Sequence, residues 1–183
     1  MTEVPSEARK LNERGLHVSQ ACTINAPASE LFRFWRHFEN LPRFMSHLES
    51  VTTRGDGISH WKAKAPFGQE VQWDAEIISE EPDRVIAWRS LQGAQVENAG
   101  SVRFIDTGDR GTEVHVVIDY VPPAGKFGNM LAKLIGEDPS GSLREDLRRF
   151  KQLMETGELA TSEGPRGTCG HKSKSTSTQG DRK

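Results

Sequence analysis

Two rhythms of apolar residues organise the chain, one that suits strands and one that suits helices. An alternating run over residues 17–25, with Val18, Ala21 and Ile24 among its apolar members, predicts an opening strand. Ala26-Pro27 then starts a helix, because a proline in the first turn gives up an N–H that has no partner there. Leu31, Phe34, Trp35 and Phe38 follow at helical spacing and form one apolar stripe. Asn40-Leu41-Pro42 breaks that stripe, and a short second helical turn is expected around Phe44-Met45.

Beyond that point the pattern becomes strands divided by turn residues. Arg54-Gly55-Asp56-Gly57 separates a strand over 48–54 from one over 58–65. Pro66-Phe67-Gly68 leads into Val71, Trp73, Ala75 and Ile77, an apolar face opposite Glu70, Gln72, Asp74 and Glu76. Glu81-Pro82-Asp83 precedes a strand over 85–90. A Gly- and Asp-rich turn over 106–111 joins a strand over 99–106 to one carrying Val114, Val116, Ile118 and Tyr120. Seven strands result, and short turns between consecutive ones make them antiparallel.

Pro122-Pro123 ends the sheet, and a long helical segment follows. Phe127, Met130, Leu131, Leu134 and Ile135 form its first apolar stripe, and Leu143, Leu147, Phe150 and Met154 its second. Between them Gly136-Glu137-Asp138-Pro139 kinks or restarts the helix, with Asp138 capping and Pro139 in the first position. Glu145 and Arg149 are spaced to pair on the exposed side. Run unbroken, the segment would span about 45 Å, the only element long enough to cover a hydrophobic sheet face. The predicted class is α+β: a seven-stranded curved antiparallel sheet around a long C-terminal helix, with two short helices after the first strand.

Composition adds the boundaries. The chain has 183 residues, and 34% of them are hydrophobic, enough for one core. Residues 1–15 are polar and read as a flexible segment, leaving a folded domain over 16–157. Residues 158–183 read as a disordered tail, since 12 of the 26 are Gly, Ser or Thr and almost none is large and apolar. Lys and Arg total 24 against 26 Asp and Glu, a net charge of −2 that argues against a nucleic-acid partner. No apolar run approaches the roughly 18–20 residues of a transmembrane helix, and Met1 to Lys10 lacks the apolar stretch of a secretory signal. Cys22 and Cys169 give no disulfide framework, which fits a reducing, cytoplasmic setting.

With the element order in place, particular motifs carry a resemblance. They are Phe34-Trp35-Arg36-His37-Phe38-Glu39-Asn40-Leu41-Pro42-Arg43-Phe44-Met45, Ser59-His60-Trp61, Trp73-Asp74-Ala75-Glu76-Ile77 and Ile86-Ala87-Trp88-Arg89-Ser90. Gly136-Glu137-Asp138-Pro139 and Leu143-Arg144-Glu145-Asp146-Leu147-Arg148-Arg149-Phe150-Lys151 complete the set. The chain resembles the START-like, helix-grip (SRPBCC) superfamily over residues 17–157. Within it, the chain is similar to the bacterial polyketide cyclase/dehydrase-like and coenzyme Q-binding branch. The resemblance implies a cavity for a hydrophobic small molecule, such as a lipid, quinone or polyketide, between sheet and helix. No cofactor is expected. One such fold hosts many chemistries, so activity does not follow from it.

Trp61, Trp73 and Trp88 fall on three strands, and in such a fold they either line one end of the cavity or fill the core. Val116 and Ile118 on the last strand, and Met130 and Leu134 on the closing helix, are further candidates for ligand contact. Asp74 and Glu76 stand about 7 Å apart, a spacing compatible with paired carboxylates, but on the face expected to meet solvent. His115 and Asp119 lie about 13 Å apart along their strand, too far for a catalytic hydrogen bond. His17, His37, His47 and His60 show no metal spacing, and no nucleophile elbow, P-loop or dinucleotide fingerprint occurs. Cys22 reads as a small packed residue, and Arg36, Arg43 and Arg89 as surface groups or anchors at a cavity mouth. The leading expectation is a binding module. The rival is a cyclase or dehydratase with Tyr120, His60 or His115 as acid or base, and a third reading is an interaction domain with a filled core.

Overall fold

A computed structural model describes residues 16–64, 70–121 and 138–158. Seven strands form one antiparallel sheet: β1 (Leu16–Ile24), β2 (Leu48–Thr53), β3 (Ile58–Lys64), β4 (Glu70–Glu81), β5 (Val85–Ser90), β6 (Glu97–Asp106) and β7 (Thr112–Val121). Their order is β1-β7-β6-β5-β4-β3-β2, so β2 to β7 pair as successive neighbours and β1 crosses over to join the last strand. Irregularities between Leu48 and Ser50 and between Ile77 and Ser79 shift the register, as bulges that bend a sheet do. The α+β helix-grip class expected from the sequence is the one observed.

The crossover after β1 differs in detail from expectation. Helix α1 spans Ala28–Arg36, with Pro27 at its N-cap in extended backbone. It stops before Phe38, since Asn40 Nδ2 donates to the Phe34 carbonyl at 2.9 Å and so satisfies a carbonyl of the last turn. Phe38 opens a 3-10 helix, Phe38–Arg43, which contains Asn40-Leu41-Pro42 rather than ending at them. The second helical element therefore precedes Phe44-Met45. In α1 the buried side chains are Leu31, Phe32 and Trp35, and Phe34 is half-buried.

The closing helix, α2, is described over Pro139–Thr156. Asp138 caps it through a hydrogen bond accepted from the Gly141 N–H, and Pro139 stands in the first turn, as predicted. Gly157, at φ 75°, ends it in the left-handed conformation. Leu143, Leu147, Phe150 and Leu153 are buried, with Met154 packed at the margin of the core. The first predicted stripe, Phe127 to Ile135, lies outside the described residues, as do residues 1–15 and 159–183. Arg149 does not pair with Glu145. It turns inward to Asp146 at 2.8 Å, while Arg148 takes Glu145 at 3.0 Å. No helix among the described residues is long and apolar enough to cross a membrane.

The space between sheet and α2 is filled at one end. There Phe150 packs against Phe44 (centroids 4.7 Å apart), Trp35 (5.1 Å) and Phe34 (5.7 Å), and Phe104 meets Phe32 and Trp35. Such aromatic contacts add packing and directional attraction to the area they bury.

Candidate functional site

At the other end, the sheet and the first turns of α2 stand apart around a cavity of about 300 Å³. That volume lies at the small end of ligand-sized pockets. The alternation of strands decides which side chains reach it, because every second residue faces the helix. On β3, β4 and β5 those residues include Trp61, Trp73 and Trp88, and all three line the cavity. Trp61 stands opposite Trp73 in the strand register, and their rings stack at 5.9 Å with 19° between planes. Trp61 and Trp88 stack in the same manner at 6.3 Å and 18°. Phe38 supports the ladder from the 3-10 helix, 5.3 Å from Trp61 and 5.8 Å from Trp88.

The indole N–H groups are treated unequally. Trp61 Nε1 donates to Ser59 Oγ at 2.8 Å, whereas Trp73 Nε1 is buried with no partner among the described residues. On the floor of the cavity Asn98 and Tyr120 are register partners on β6 and β7. Asn98 is buried and donates from Nδ2 to the Val96 carbonyl at 3.4 Å. The hydroxyl of the half-buried Tyr120 forms no hydrogen bond with another described residue. Burial first, and the charge of Asp146 second, push its phenol well above the ordinary range, so it stays a hydrogen-bond donor.

One rim is polar. Asp146, on the buried side of α2, has a side chain only 3% exposed. Its carboxylate accepts from Arg149 Nη2 at 2.8 Å and from the Ser46 N–H at 3.4 Å, and stands 3.5 Å from His47 Nδ1. Arg149 also donates from Nε to the Phe44 carbonyl at 3.1 Å and from Nη2 to Ser46 Oγ at 3.3 Å. The cluster ties α2 to the segment after the 3-10 helix and neutralises a carboxylate that would be costly to bury alone.

Of the residues singled out for ligand contact, Trp61, Trp73, Trp88 and Ile118 line the cavity. Val116 does not. It sits two residues before Ile118 on β7, fully buried in the filled half. Met130 and Leu134 lie outside the described residues. Arg36 pairs with Glu80 at 2.7 Å, Arg89 with Glu76 at 2.8 Å, and Arg43 lies over the Phe34 ring, so none of the three lines the cavity. The acid–base candidates divide. Tyr120 lines the cavity, while His60 pairs with Asp74 at 2.7 Å and His115 with Ser19 at 2.9 Å, away from it. Asp119 meets His17 at 2.7 Å, a cross-strand contact that spacing along one strand does not reveal. The lining residues not anticipated include Asn98, His47, Asp146 and Arg149. No group of three or more His, Cys, Asp or Glu that would hold a metal occurs among the described residues.

Comparison with known proteins places this geometry. Residues 24–148 match the family described as polyketide cyclase / dehydrase and lipid transport. The chain belongs to that family. Its START-like, SRPBCC membership follows from the same match and the fold. An uncharacterized 17.2 kDa protein of Streptomyces lincolnensis is 31% identical over 140 residues, 75% of this chain and 89% of that one. A crystal structure from Deinococcus radiodurans is 41% identical, with a TM-score of 0.64, and covers 78% of this chain and all (100%) of its own. The Zhui aromatase/cyclase of a Streptomyces species superposes with a TM-score of 0.60 over 80% of this chain and 99% of its own. At 19% identity that likeness speaks to the fold alone.

Proposed function

We propose that this family member binds a hydrophobic, ring-bearing small molecule in the cavity between the sheet and α2. The observation that carries the reading is the tryptophan ladder, Trp61 with Trp73 and Trp88, along the wall of a space of about 300 Å³. Stacked indoles offer a flat, apolar surface with little rotamer entropy to lose, which suits a planar ligand. Burial of apolar area would drive binding at about 25 cal/mol per Å² before the costs of ordering. A filled interaction core is disfavoured by that space.

The cyclase reading draws on a specific observation too. Tyr120, His47 and Asp146 line the same cavity and are the titratable groups an acid–base step would use. The Zhui relative, named as an aromatase/cyclase, has the same fold. Binding is common to both readings and is tested first. Protein purified from its own host is extracted with organic solvent and the extract read by mass spectrometry. A Leu143→Trp variant, its fold checked by circular dichroism, serves as control because Leu143 lines the cavity. An apolar molecule near one per chain in the native protein and lost from the variant is the expected result. Equal amounts in both, or an empty native protein, would overturn it.

A further inference from the structure

One rung of the sheet forms the step between the open and filled halves of the interior. Val18, Ile118, Gly100 and Trp88 follow one another across β1, β7, β6 and β5 as register partners on the inner face. Val18, Ile118 and Trp88 line the cavity, and Gly100 is buried among them. In the next rung Val116, Val102 and Ile86 are fully buried, so the filled half begins there. Gly100 brings no side chain to the step, and the indole of Trp88 takes that space instead. A Cβ on Gly100 would lie 2.7 Å from Trp88 Cε2 and 3.0 Å from Cη2, with Cζ2 nearer still. Packed carbons keep about 3.5–4.0 Å apart, so a larger residue at 100 would drive the ring off β6 by about 1 Å. Phe38 (5.8 Å between centroids) and Trp61 (6.3 Å) stand against the ring elsewhere, which leaves the cavity as its free side.

Resting on the binding reading above, we infer that Gly100 is the positioning residue that sets the size of ligand the cavity accepts. It acts through Trp88. With glycine at 100 the indole lies against β6, and the cavity keeps its full depth at the boundary with the filled half. With a side chain there the indole moves into the cavity. A space of about 300 Å³ has little volume to spare, so a ring displaced into it excludes a large ligand well before a small one. Shortening Trp88 has the opposite effect, because the space its ring vacates joins the cavity.

Two neutral fluorescent probes test this: naphthylamine and phenylnaphthylamine, which share a ring system and differ by one phenyl group on the nitrogen. Fluorescence titration of the full chain at neutral pH gives the ratio of their affinities. In the native chain the phenyl probe is expected to bind about tenfold more tightly, from its added apolar area. In Gly100→Ala that preference should fall to about twofold or less while naphthylamine binds as before, which also reports an intact cavity. Adding Trp88→Leu to Gly100→Ala should restore the ratio. Val102→Ile overpacks the filled half from the same strand face and should leave the ratio at its native value, which separates the effect from a general loss of stability. If Gly100→Ala does not fold, Trp88→Leu alone decides, and it should widen the preference for the phenyl probe. No preference in the native chain, a native ratio in Gly100→Ala, no recovery with Trp88→Leu, an unwidened ratio in Trp88→Leu alone, or the same shift in Val102→Ile overturns the inference and leaves the apolar cavity standing. Binding of neither probe by the native chain overturns the cavity reading itself.

Discussion

The indole of Trp88 lies across the backbone of Gly100, its register partner on β6, so closely that a Cβ on Gly100 would come 2.4 Å from Trp88 Cζ2. Glycine is needed here for space, since the obstructing atoms belong to a packed ring and not to the loose end of a flexible chain. Gly100→Ala is expected to cost about 1–3 kcal/mol, the range for overpacking a core, read as a lower urea midpoint. Combining it with Trp88→Leu should recover part of that loss, and a double-mutant cycle measures the coupling. Strict additivity would mean that the ring does not depend on the missing Cβ.

Asp146 and Arg149 form the pair at the cavity rim whose loss should be felt most. The carboxylate is 3% exposed and the guanidinium 35%. Arg149→Met leaves the acid without its main counter-charge, at an expected cost of about 2 kcal/mol, discounted from a fully buried pair because the arginine reaches solvent. Arg148→Met breaks a pair exposed by 71% and 51% and should cost about 0.5 kcal/mol or less. Chemical denaturation of both variants tests the contrast, and equal losses would contradict it.

What the residues reveal in advance, and what they hide, follows from where the interactions lie. The strands are legible because each carries alternation together with Gly, Asp or Pro at its ends, and the Asp138-Pro139 helix start is legible because the cap is local. Asp146 is in principle legible too: Leu143, Asp146, Leu147 and Phe150 share the buried face of α2, and a carboxylate there calls for a counter-ion. The inward turn of Arg149 is not, because one of its acceptors, the Phe44 carbonyl, is 105 residues away. Asn98 alternates with Gly100, Val102 and Phe104, so starting that strand at 99 hides its inner-face position. Val116 shows the remaining limit. Alternation places it on the correct face, but only packing shows that the filled half of the interior ends beyond it.

Ser59 gives Trp61 its hydrogen bond. Ser59 Oγ accepts from Trp61 Nε1 at 2.8 Å and is itself 3.4 Å from the Ala75 carbonyl, all within the buried inner face. Ser59→Ala would leave a third indole N–H unpaired, after those of Trp35 and Trp73, costing about 1–3 kcal/mol. Thermal unfolding gives the cost, and tryptophan fluorescence of the folded variant should shift as the Trp61 environment changes. A variant as stable as the native chain would show that the indole finds another acceptor.

Glu155 provides the pH-dependent prediction. Its carboxylate accepts from the Asn25 N–H at 2.8 Å and pairs with Lys151 at 2.9 Å, linking the end of α2 to the turn that leads into α1. The Asn25 N–H first, and Lys151 next, hold its pKa below the ordinary 4.5. A carboxylate whose pKa is lower in the folded chain releases its proton more readily there than when unfolded. Its stabilisation is therefore complete above the ordinary glutamate value and fades as the pH falls through the lower folded value. Glu155→Gln should accordingly be less stable than the native chain near neutrality, and the gap should close under acid. Urea midpoints of both proteins at about pH 7 and about pH 3 measure it. A gap of the same size at both values would mean that Glu155 acts through packing and not through its charge.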